Sequence, residues 1–143
     1  MKAVSRPVPA SSSDRLTQAL KPVLCGVDLM EVGRFEREVS RRGDALVEEL
    51  FSAGERAWCR RRRRPAEGHA MVFAAKEALV KALGTGLVGR MHWRDIELTW
   101  PDGPVRPVLA LSGETAAVAA SAGAAKFHVS LACTRTLAVA WVV

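Results

Sequence analysis

The sequence predicts an α+β fold in which an antiparallel-rich sheet packs against one long helix and several shorter ones. Residues 66–83 are rich in Ala and Leu and are stopped by Gly84-Thr85-Gly86, which marks the long helix. Asp95 to Trp100 and Arg106 to Leu111 flank Pro101-Asp102-Gly103-Pro104, a turn signal that makes them a hairpin. Beyond Gly86 the chain reads as rich in strands.

Residues 1–21 are polar and carry Ser11-Ser12-Ser13, Pro7 and Pro9. They read as a flexible tail with a short helical piece from Asp14 to Leu20, ahead of one domain over 22–143. Val23-Leu24-Cys25-Gly26-Val27 suits a strand buried on both faces, with Asp28 and Glu31 at its carboxyl end. From Val32 to Arg42 the period turns helical, with Val32, Phe35 and Val39 inward and Arg34, Arg37 and Arg41 among the outward charges; Gly43 stops it. A second helix follows over Asp44 to Leu50. Ser52, with Glu55 three residues on, forms a capping box for a third helix from Ala53 into the run Arg60 to Arg64. Ser112 caps a small alanine-rich helix to Ala122, and Lys126 to Cys133 and Thr136 to Val143 are the last strands.

At 143 residues, 49% of them hydrophobic, the chain has room for one domain with its own core. The net charge of +6 predicts an anionic partner: nucleic acid, an acidic protein surface or a multiply phosphorylated small molecule. The three cysteines are far apart and read as reduced thiols of a cytoplasmic protein. No apolar run reaches the roughly 20 residues of a membrane span, and no signal-peptide core is present.

The chemically informative stretch is Phe73 through Gly86. Glu77 and Lys81 are i and i+4 on one helix face, with Phe73 one turn earlier. A surface ion pair worth at most about 0.5 kcal/mol is one reading. The other begins from Lys76 and Glu77 standing in an otherwise apolar helix. If Asp28 faces Glu77, two carboxylates meet and need a cation, and two protein oxygens plus phosphates and waters suit Mg²⁺. Lys81 then serves a phosphate or a leaving group, and Gly84-Thr85-Gly86 lets backbone approach a diphosphate.

Gly26-Val27-Asp28-Leu29-Met30-Glu31-Val32-Gly33-Arg34-Phe35, Phe51-Ser52-Ala53-Gly54-Glu55-Arg56 and Phe73 through Gly86 resemble three successive blocks of the holo-acyl-carrier-protein synthase family. Trp93-Arg94-Asp95-Ile96-Glu97 and His128-Val129-Ser130-Leu131 resemble two more. The resemblance implies a 4′-phosphopantetheinyl transferase fold, trimeric with active sites at subunit interfaces. It implies Mg²⁺ held by Asp28 and Glu77, with Lys81 as the third catalytic residue. Coenzyme A is the implied co-substrate, contacted by Lys76, Lys81, Gly84, Thr85, Gly86, Arg64 and Ser130. The implied partner is an apo acyl carrier protein or carrier domain, met by Arg34, Arg37 and Arg41; neither nucleic acid nor membrane is implied.

Two positions depart from the family pattern, Val72 where it has Arg and Cys133 where it has His, and both lost side chains are expected near coenzyme A. A paralogue that docks carriers but transfers poorly, and a basic nucleic-acid binder, are the competing readings. His69, His92 and His128 read as surface or packing residues, and the four tryptophans, too dispersed to form a stacking surface, as core or subunit contacts.

Overall fold

A computed structural model describes residues 23–101 and 106–143. The polar tail and residues 102–105 of the hairpin turn lie outside them. Strand β1 (Gly26–Glu31) leads into α1 (Val32–Arg42), α2 (Asp44–Leu50), α3 (Ala53–Arg60) and the long α4 (Pro65–Leu83). A 3₁₀ turn (Trp93–Asp95), β2 (Ile96–Thr99), β3 (Val108–Leu111), α5 (Gly113–Ser121), β4 (Val129–Cys133) and β5 (Leu137–Val142) complete it. Both sheets are antiparallel, one ordered β1-β5-β4 and the other β2-β3, with Val108 and His128 bridging them.

Helix α4 is the beam of the fold. Pro65 opens it, where a missing N–H costs nothing, and Gly84 ends it in the left-handed conformation at φ 72°. Twelve of its 19 residues are buried, because the sheet covers one side and α1 and α3 the other. Small side chains bring the sheet very close. A Cβ on Gly26 would lie 2.6 Å from the Ala82 nitrogen and overlap the Ala78 carbonyl oxygen. Glycine at position 26 therefore lets β1 lie directly on the helix backbone.

The strand around Asp28 differs from the expectation. It runs from Gly26 rather than Val23, and Val23 is 73% exposed. Asp28 is inside β1 rather than beyond it. Burial alternates: Gly26, Asp28 and Met30 face α4, while Val27 and Leu29 face outward with Trp141 of β5. An outward face that is itself apolar erases the alternation from the sequence. The third helix ends at Arg60, short of the arginine run's end. Trp58, Trp93 and Trp100 pack against the core, and Trp58 and Trp100 stack at 3.6 Å and 7° with Arg62 4.4 Å over Trp58.

Candidate active site

Gly26 fixes the crossing of β1 over α4, and the site follows from that crossing. Asp28, two residues on, points to the same side of the strand. Its Oδ1 accepts a hydrogen bond from Lys81 Nζ at 2.6 Å. Its Oδ2 is buried and has no partner. Glu77, one turn before Lys81, stands close enough to Asp28 to feel its charge. Burial first, and the Asp28 carboxylate second, push the Glu77 carboxyl above the ordinary carboxylate range, while Lys81 opposes them.

Two carboxylates thus lie within each other's electrostatic reach, with one ammonium bonded to Asp28 and one buried oxygen left over. That excess of negative charge is of the kind a hard divalent cation balances, and Asp28 and Glu77 are the residues that could hold one. No cluster of three or more His, Cys, Asp or Glu side chains suited to a metal occurs among the described residues. Mg²⁺ often takes only one or two carboxylates with waters and substrate phosphates. Lys81 is half exposed at 52%, and the turn that follows α4 in sequence has Gly84 and Gly86 at positive φ with Thr85 exposed.

Glu77 also borders a cleft of about 340 Å³ lined by Phe35, Phe73 and Trp93, with Arg34 on its rim. Arg34, Arg37 and Arg41 form one stripe of α1, three and seven residues apart, and all are exposed. Arg37 approaches Glu31 at 3.6 Å and Arg41 pairs with Glu38 at 2.6 Å. Arg34 has no such partner among the described residues.

Within the chain, three of the expected cofactor contacts stand apart from Asp28, Glu77 and Lys81. Lys76 is fully buried, and its Nζ is consumed by Glu55 Oε2 at 2.8 Å, the Leu50 carbonyl at 2.7 Å and the Trp93 carbonyl at 2.9 Å. It holds the core and meets no ligand surface. Arg64 caps the opposite end of α4, about 25 Å along the axis from Lys81, and pairs with Glu67 at 3.3 Å. Ser130 is paired with Trp141 on the outward sheet face, away from Asp28. Sequence reading credited Glu55 with the cap alone. Glu55 closes the predicted capping box with Ser52 and also receives Lys76 and the Leu98 N–H.

The departures from the family pattern are settled differently. Val72 is entirely enclosed, so the core already fills that position. Cys133 is half-buried with Sγ 4.0 Å from the Glu67 carbonyl, and burial raises its thiol. Val72→Arg is therefore expected to destabilise the protein by about 1–3 kcal/mol through overpacking, its guanidinium reaching water on a long stem. Thermal melting with and without coenzyme A checks this. A raised Tm would show an open pocket instead.

The chain is 45% identical over 123 residues to a holo-[acyl-carrier-protein] synthase of Methylobacterium radiotolerans, spanning 82% of this chain and 89% of that one. A crystal structure of Helicobacter pylori holo-[acyl-carrier-protein] synthase in complex with coenzyme A matches with TM-score 0.72 and 26% identity, over 83% of this chain and 97% of that one. The Neisseria meningitidis holo-[acyl-carrier-protein] synthase shares the fold at TM-score 0.74 and 24% identity, over 82% and 94% of the two chains. Residues 24–140 match the profile of the 4′-phosphopantetheinyl transferase superfamily, and with the Asp28, Glu77 and Lys81 constellation in place the chain belongs to that superfamily.

Proposed function

We propose that this protein transfers the 4′-phosphopantetheine arm of coenzyme A to a serine of an apo acyl carrier protein, releasing adenosine 3′,5′-bisphosphate, with Mg²⁺ as its metal. The observation that carries this is the convergence of Asp28, Glu77 and Lys81, with one Asp28 oxygen buried and unpartnered. When bound, Mg²⁺ supplies positive charge to a diphosphate that gains negative charge as its phosphoanhydride bond breaks. Asp28 and Glu77 hold the metal. Lys81 keeps an ammonium beside them, where it stabilises the departing nucleotide. The serine oxygen attacks the β-phosphorus, and the aromatic cleft beside Glu77 gives the carrier a route to it.

A homotrimer with interfacial sites belongs to the same reading. Val27, Leu29 and Trp141 are 58%, 60% and 55% exposed on one sheet face, a contiguous apolar surface that a soluble monomer seldom leaves uncovered. Ser130 shares that face, so assembly would bring it to a neighbouring subunit. A cytoplasmic location accords with the family, and no helix among the described residues is long and apolar enough to cross a membrane.

Incubation with coenzyme A, Mg²⁺ and several apo carrier proteins, read by intact mass, tests the activity. One carrier should gain the phosphopantetheine mass. No gain on any carrier would refute the proposal. The docking surface has its own test. Arg34→Glu should raise KM for the carrier about fivefold and leave KM for coenzyme A nearly unchanged, since one reversed rim charge is worth roughly 1 kcal/mol. Salt should mimic it, because exposed charges are screened over about 8 Å at physiological ionic strength. Equal effects on both substrates would place the carrier elsewhere.

A further inference from the structure

Lys76 precedes Glu77 in α4, and its ammonium has three partners for its three protons. They come from the end of α2, the 3₁₀ turn and α3. Glu55 is equally fixed, 1% exposed and accepting from the Ser52 and Leu98 N–H groups as well as Lys76. Ser52 extends the network, donating to Glu97 Oε1 at 2.6 Å. One position on the long helix is thereby tied to three other helical segments and to β2.

Neighbouring residues on an α-helix project about 100° apart, so the direction fixed for Lys76 also fixes that of Glu77. We propose that Lys76, through its buried pair with Glu55, is a positioning residue that sets the roll of α4 and so aims Glu77 at Asp28. A roll of about 10° moves a group ~6 Å from the axis by ~1 Å. Productive sites tolerate only about 0.5 Å. Apolar contacts alone leave such a roll soft, and a buried pair is often no more stabilising than an apolar replacement. What the pair adds at this position is direction. The inference rests on reading Asp28 and Glu77 as the metal-binding acids.

The test uses folded protein and no turnover. Mn²⁺ is the probe ion, with coenzyme A present and carrier absent, and its dissociation constant is read by electron paramagnetic resonance. Glu55→Gln/Lys76→Met removes both charges while leaving Asp28, Glu77 and Lys81 intact. Binding should weaken about tenfold. If that variant does not fold, Glu55→Asp draws the carboxylate back by one methylene and should weaken binding several-fold. Leu109→Ala, a core truncation in the two-stranded sheet, lowers Tm and should leave the constant unchanged. Wild-type affinity in the folded pair variants would overturn the inference alone. A wild-type protein that binds no Mn²⁺ would remove the metal reading, and this inference with it.

Discussion

Gly26→Ala should lower Tm by about 10 °C or more and abolish transfer, although a single methyl group is added. The new Cβ would overlap the Ala78 carbonyl oxygen and crowd the Ala82 nitrogen. Both are backbone atoms of a hydrogen-bonded helix, so no rotamer change relieves the contact. Strand β1 must lift from α4, at the upper end of the overpacking range or beyond it, about 3 kcal/mol or more. For a chain of this size each kcal/mol lowers Tm by roughly 2–4 °C. Lifting β1 also carries Asp28 away from Lys81 and Glu77, so activity falls further than stability does. Melting curves and the carrier-loading assay check the two halves separately. A Gly26→Ala protein with wild-type Tm would mean that the strand does not rest on the helix backbone as described.

Glu77→Gln should reduce transfer about 10²–10³-fold, on the several kcal/mol that a bound metal supplies to a developing charge. Its stability should move the other way. Burial and the Asp28 charge raise the Glu77 carboxyl, so the folded state prefers the protonated form. That preference contributes stability in full below the unfolded carboxyl's range and loses it as pH rises through the higher folded value. Above that folded value the contribution is gone. Glutamine resembles the protonated form at every pH, so above the folded value the variant's Tm should equal or exceed that of wild type. The difference should shrink as pH falls toward the ordinary carboxylate range. Calorimetric melts over that interval measure it. A Gln variant that is both active and less stable would contradict this account of the site.

Local signals in the chain were sufficient for much of this architecture. Gly43 bounds α1, the Ser52–Glu55 pair opens α3 and Gly84 ends α4, each where its chemistry demands. Asp28, Glu77 and Lys81 were legible because the i, i+4 spacing and the strand-borne acid both stand out against apolar neighbours. What stayed hidden has one cause, namely that a sequence states which residues are unusual without stating what they face. Lys76 looked like a ligand contact because a charge inside an apolar helix needs a partner. That partner is Glu55, on another helix, with no spacing rule to link the two. Arg64 and Ser130 matched motifs but lie at the far end of α4 and on the opposite sheet face from the acids. Val23 and Val27 suit a core strand by composition yet are exposed, because apolar composition does not say whose core is meant.

The pairing of β1 with β5 has a consequence for biosynthesis. Cys25 and Trp141, in contact across that pair, are 116 residues apart. During translation, α1 to α4 emerge before the strand that anchors β1 exists. The strand bearing Asp28 must then wait, its backbone edge unpaired, until 137–142 leave the ribosome. Closing so long a loop is entropically slow, and waiting strands are prone to mispair. A stalled nascent chain lacking β5 should therefore be protease-sensitive across 26–31, and should become protected once the last strand is released.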